Sequence, residues 1–208
     1  MEMGAPGTVY HVDEAQSELR ILVYRGGPLA RLGHNHVLVN RKLRGAVNLA
    51  AAAGASTFSL DVPCAAFVVD EASARAEEGA DFAAEVPDDA KLGTLQNMLS
   101  AAVLDAAEFP AITVKSVAVA NPQVATGAAS AAGVTGAMVA SVAISVAGHE
   151  STIDVPFALQ MQSGRLSATG VLELRQSALG LTPYSLMLGA LQVQDQMTVK
   201  FKIVAVAG

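Results

Sequence analysis

The chain has 208 residues, a net charge of −6 and a sequence pI near 5.1, and 52% of it is apolar although only 4% is aromatic. Its 13 Lys and Arg are scattered, which argues against nucleic acid, because phosphate binding needs clustered cations to displace counterions. No stretch approaches the ~20 uninterrupted apolar residues of a membrane-spanning helix, and the single cysteine, Cys64, rules out an internal disulfide.

Residues 1–7 carry neither a basic n-region nor an apolar h-region. They read as a disordered start without a signal peptide, in a protein that is either cytoplasmic or a mature form with a replaced start. Residues 8–208 read as one domain. Leu19, Ile21 and Val23 alternate with Glu18, Arg20 and Leu22, the pattern of a half-buried strand. Arg41, Lys42 and Arg44 read as the solvated part of the next strand, where Leu43, Val47 and Leu49 hold the apolar parity. Phe58, Leu60 and Val62 repeat it. Asp70 to Ala84 is rich in Ala and Glu and suggests a short helix. From Asp88 to Leu104 the period changes: Leu92, Leu95, Leu99 and Ala102 fall at helical intervals, with Asp88 or Asp89 as the N-cap.

Residues Asn121 to Gly133 are small and polar and read as a flexible hairpin loop. Alternation then returns through Val134, Met138, Val142, Ile144 and Val146. After Gly148-His149-Glu150 it continues through Ile153, Val155, Phe157, Leu159 and Met161. Ser163-Gly164 marks a turn into Leu166, Ala168, Leu172 and Leu174, and the final run is Met197, Val199, Phe201 and Ile203. The expected fold class is all-β: an antiparallel meander of about eight strands with one inserted helix. Closure into a barrel is preferred, since it removes sheet edges, although a two-sheet sandwich has the same alternation.

Several ordered stretches resemble the YceI-like family of polyisoprenoid-binding, lipocalin-like proteins. They are Tyr10-His11-Val12-Asp13 followed by Ser17; Leu32-Gly33-His34-Asn35-His36 followed by Gly45; Phe109-Pro110-Ala111-Ile112-Thr113 followed by Ser116; Gly136 to Pro156; and Gln176 to Leu181 with Asp195 beyond. The resemblance implies an extended lipocalin-like barrel around a pocket for a long apolar ligand (an isoprenoid, quinone or fatty-acyl chain), usually periplasmic or secreted and often a homodimer. Ala178 and Leu179 replace the usual acidic and aromatic pair, and Val114 replaces a common aromatic, which implies an aliphatic lining.

The inward parity supplies Met138, Val142, Phe157, Leu159, Met161, Met197 and Phe201, a soft lining suited to a flexible chain. The same residues would also fill a solid core. His34 and His36 lie two apart, so a strand would project them to one face. Structural hydrogen bonding is their first reading, ligand contact at the pocket mouth the second, and metal ligation the third, since a metal site needs further ligands. Asp195 shares parity with Val193 and Met197, as a head-group anchor or as a structural carboxylate turned by a bulge. Glu173 and Arg175 read as a solvated pair, and Cys64 as a core residue. Residues Leu179 to Leu191 break the alternation and suggest a lid, a rim strand or a dimer contact. No nucleophile with a base and no phosphate loop is recognisable, so neither catalysis nor a cofactor is expected. A carrier of an apolar molecule leads the reading, ahead of a filled-core interaction domain and of a metal-dependent protein built on His34 and His36.

Overall fold

The computed structural model of the chain describes residues 7–120 and 135–208; the loop expected at Asn121 to Gly133 and residues 1–6 of the expected disordered start lie outside them. The first strands are β1 (Thr8–Val12), β2 (Glu18–Gly26), β3 (His36–Asn40), β4 (Arg44–Leu49), β5 (Thr57–Pro63) and β6 (Val68–Val69). Two helices follow, α1 (Ala72–Ala76) and α2 (Asp88–Leu99). The remaining strands are β7 (Ala111–Ala120), β8 (Thr135–Val146), β9 (His149–Gln162), β10 (Arg165–Arg175), β11 (Ser185–Leu186) and β12 (Leu191–Ala207).

The strand order β1-β4-β5-β7-β8-β9-β10-β12 returns to β1, because Tyr10 pairs with Ala207. Every pairing is antiparallel, so these eight strands form a closed barrel and the sandwich alternative falls. Closure leaves the ring without a free edge. The rest of β12 pairs with β2, which pairs with β3, which pairs with β6. One wall is therefore interrupted between β1 and β2, between β4 and β3, and between β5 and β6.

Breaks of this kind orphan backbone groups that need other partners. Ser17 is buried between β1 and β2, where its Oγ accepts from Val204 N at 3.0 Å and donates to Val204 O at 3.3 Å. Asn40 closes β3: it donates to Pro63 O at 2.8 Å and accepts from Lys42 N at 2.9 Å. Residues 41–43 are consequently a link and not part of a strand, a correction to the expectation for Arg41, Lys42 and Leu43. Arg41 pairs with Glu18 and Glu71, and Lys42 and Arg44 pair with Glu14.

The two tight hairpins follow from backbone sign. Ala147 and Gly148 both have positive φ, as do Ser163 and Gly164, the arrangement of two-residue turns that match strand twist. His149 and Glu150 thus already belong to β9. On that strand Ile153, Val155, Phe157, Leu159 and Met161 are half-buried, while Asp154, Pro156, Ala158 and Gln160 are exposed.

The expected polar face of β2 is in part a second apolar layer. Leu22 packs with Val37, Val39, Ala74, Phe82 and Tyr24 on the outside of the wall, under the segment that carries α1. α2 begins where the helical period places it but ends at Leu99, short of Leu104, and leaves Leu92 exposed. It packs Leu95 and Met98 against Leu38, Leu43 and Val62. Its N-cap is Pro87; Asp88 and Asp89 occupy the first turn, where their charge favours the helix dipole.

Candidate functional site

Residues paired directly across a sheet share a face, so the register traces the inner surface. One row runs Leu174, Met197, Val23, His36 and the next runs Leu172, Val199, Ile21, Leu38. Phe201 stands in the row with Gly170 and Leu19. Met138 faces Phe157, and Val142 faces Ile153. The seven apolar residues expected to point inward therefore do share the inner face. Met138, Val142 and Met197 are buried there, whereas Phe157, Leu159, Met161 and Phe201 remain half-buried. Small residues lie among them: Ala140, Ala168 and Gly170. A Cβ on Gly170 would stand 2.5 Å from Phe201 Cζ, so the ring lies directly over the glycine.

One end of this surface is covered. Cys64, Leu104, Val146, Leu179 and Met197 pack together with Met98, Leu99 and Leu181. Burial pushes the Cys64 thiol up, the opposite of what a reactive thiolate needs. The other end gathers Tyr10, Leu166 and Ala205 with Val47, Leu49 and Met161.

His36 lies at the α2-covered end, with a built polar surround. Its Nδ1 donates to Asp70 Oδ2 at 2.6 Å, and Thr94 Oγ1 on α2 lies 3.2 Å from its Nε2. Thr94 Oγ1 is also 2.9 Å from Ala90 O, so its single proton serves one of these two partners. Asp70 is buried and also accepts from Val37 N at 2.9 Å and Arg75 Nη1 at 2.5 Å. Burial alone would raise its carboxyl, but the bonds from His36, Val37 and Arg75 outweigh burial and hold it below the ordinary carboxylate range. Arg75 further donates to Asn35 O and Ala84 O, at 2.8 and 2.9 Å. The His36 ring is thus held by Asp70, while His34 meets it edge-on with ring centroids 6.1 Å apart. Among the described residues no group of three or more His, Cys, Asp or Glu could hold a metal. Sequence reasoning missed Asp70, Arg75 and Thr94; an acid directly after the apolar Val68-Val69 pair was the available signal.

Asp195 sits where the β12–β2 register shifts between Val193 and Met197. Its carboxylate accepts from the Ser177 hydroxyl at 2.6 Å and the Ser177 amide at 2.8 Å, bonds that lower its pKa. It thereby holds the turn at 176–179 against β12. Glu173 accepts from Gln196 and Thr198, in place of the expected pairing with Arg175. Outside the barrel, Glu18, Arg20, Glu77, Glu78, Lys200 and Lys202 line a groove of about 420 Å³. Arg20 and Lys200 are already paired with Glu78 there.

Among the described residues no helix is long and apolar enough to cross a membrane. A family model described as YceI-like domain matches residues 10–205. Among solved structures, Burkholderia cenocepacia BcnA superposes with a TM-score of 0.65 at 17% identity, covering 94% of this chain and 99% of that one. A polyisoprenoid binding domain from Saccharophagus degradans implicated in plant cell wall breakdown gives 0.62 at 15% identity, covering 97% and 99%. At these identities the likeness establishes the barrel fold alone. No curated protein matches the chain.

Proposed function

Because the chain belongs to the YceI-like domain family, we propose that its barrel takes up an apolar, chain-like molecule along the inner face and carries or stores it, in the periplasm as the family resemblance implies. The observation that carries this reading is the half-buried inner row of β9, Ile153 to Met161. A filled core buries its inward rows and packs to crystal-like density; rows that are apolar, inward and still accessible suit an occupant. The Saccharophagus relative is described as polyisoprenoid binding, which agrees with that chemistry. Met138, Val142, Phe157, Leu159, Met161, Met197 and Phe201 supply the wall in this proposal. Each buried methylene of the ligand contributes ~0.8 kcal/mol before ordering costs. His34, His36 and Asp195 are proposed as polar contacts secondary to this wall, because Asp70 and Ser177 already engage His36 and Asp195.

Mass spectrometry of gently purified protein, before and after incubation with polyprenols and quinones, tests the proposal. A stoichiometric isoprenoid or acyl species is expected. Ala168, between Leu159 and Ile203 on the inner face, provides the control. In a hollow barrel Ala168→Phe displaces the ligand without loss of stability. In a filled one it overpacks the core at a cost of about 1–3 kcal/mol. An apo spectrum together with a destabilised Ala168→Phe would overturn the carrier reading in favour of a filled-core interaction domain.

A further inference from the structure

The hairpin that leads into β12 turns its apolar side chains outward. β11 pairs Ser185 and Leu186 with Gln192 and Leu191, and the turn between them holds Met187, Leu188 and Gly189 at φ of 52°, 56° and 88°. Left-handed backbone is disfavoured for two successive L side chains. Its result here is display: Leu188 is fully exposed, Met187 is 72% exposed and Leu186 45%. A second turn lies beside this one, with Leu29 N donating to Ala190 O at 2.8 Å. It adds Arg31 and Leu32 to the same end of the barrel, and Leu32 is 61% exposed.

The charge along the two chain stretches that build this tip differs from that of the whole chain. The fold does bring Asp81 in from elsewhere: its carbonyl accepts from Asn35, which accepts in turn from Arg25 N. The protein has 19 acidic residues, yet none falls between residues 21 and 60 or between 174 and 194, the stretches that build both turns. Among the described residues neither Arg25 nor Arg31 pairs with a carboxylate. The Arg25 guanidinium donates to Gly33 O at 2.9 Å, and Asp195, the first acid after the tip, is engaged by Ser177.

We infer that the Leu186–Leu188 tip is a membrane-docking finger, with Leu188, Met187 and Leu32 entering the interfacial region of an anionic bilayer while Arg25 and Arg31 meet lipid phosphates. Reversible interfacial binding needs both components, buried apolar surface and attraction to anionic headgroups. A second copy of this chain is a poorer occupant. A few side chains on a protrusion fall far short of the roughly 800 Å² per partner that a stable interface buries. A two-fold contact would also bring the same unpaired arginines together. The inference rests on the tip itself and is independent of what fills the barrel.

Flotation with vesicles tests it, using pure phosphatidylcholine and an equal mixture with phosphatidylglycerol. Wild type is expected to float with the anionic vesicles and to be released by salt. Met187→Ser with Leu188→Ser is expected to weaken binding by about tenfold or more, and Arg31→Glu by roughly fivefold or more. Both replace exposed side chains, so an unchanged melting curve verifies the fold. Failure of wild type to float would overturn the inference, as would variants that float equally well. A concentration-dependent dimer in sedimentation that Leu188→Ser abolishes, without lipid binding, would assign the tip to a second copy instead.

Discussion

Asp70→Ala removes a buried carboxylate on which three donors converge. The Asp70 side chain is fully buried and accepts from Val37 N, His36 Nδ1 and Arg75 Nη1. Alanine leaves the Arg75 guanidinium, itself 9% exposed, with two carbonyl contacts but no counter-charge. Removing one partner of a buried ion pair costs about 3–5 kcal/mol. The Val37 amide, in a residue with no exposed surface, loses its acceptor in the same step, at about 1–3 kcal/mol if nothing replaces it. These losses overlap, because all three bonds converge on one carboxylate, so the expected total is about 4 kcal/mol. For a domain of this size that lowers the melting temperature by roughly 10 °C. Urea denaturation measures the free energy, and a cycle with Arg75→Ala isolates the pair: the double variant should cost clearly less than the sum of the single ones. A loss under about 1 kcal/mol for Asp70→Ala would refute the reasoning, because a group so buried and so bonded has no cheap replacement.

The acid side of the stability profile should be steep. Burial raises the Glu78 carboxyl, but bonds from Lys200 and Arg20 outweigh it and leave the pKa lowered, and Glu71 is lowered chiefly by Arg41. Groups depressed in the folded state stabilise it above their unfolded values, near pH 4, and that contribution disappears as pH falls through the folded values. Glu78→Gln should therefore flatten the loss of stability between pH 5 and 3, measured by urea midpoints, by roughly one titrating group. Gly170→Val should cost about 1–3 kcal/mol, since the new Cβ would meet Phe201 Cζ at 2.5 Å and Pro156 O at 2.8 Å; an unchanged melting temperature would show that the ring does not lie over the glycine. The Cys64 thiol should resist a disulfide reagent in the native state and react in urea, and fast native labelling would contradict its 1% exposure.

How far the sequence reached depended on which physical quantity each feature obeys. Alternation is a local property of a strand, so the parity of β8, β9, β10 and β12 was legible, and with it the residues that face inward. The second apolar layer was not, because Leu22 looked polar-facing while only its neighbours were counted. The continuous run Val37-Leu38-Val39 carried the signal, since a strand apolar on both parities must be covered on both sides. The interruptions at Ser17 and Asn40 were also hidden. Each is a polar side chain replacing ladder bonds between segments 187 and 23 residues apart, a separation no local pattern contains.

Whether the barrel holds an occupant follows from a different quantity again, the balance between ring size and side-chain volume. Strand number sets the diameter, and eight strands leave an interior that side chains just fill or that accepts one small ligand. The composition that bears on this balance is no Trp, six Phe, and Ala140, Ala168 and Gly170 at inner positions. Phe201 compensates at Gly170 by lying over it, and both also line the outer groove, so the half-buried inner residues that remain are the row of β9 and Leu172 and Leu174 on β10. The row of β9 packs along its length against buried Val119, Met138, Ala140 and Val142, while Tyr10, Leu166 and Ala205 pack at one end of the barrel and Cys64, Leu104 and Val146 at the other. In the proposed carrier the occupant would lie along these half-buried rows between the two packed ends, where an extended aliphatic chain gains most from burial.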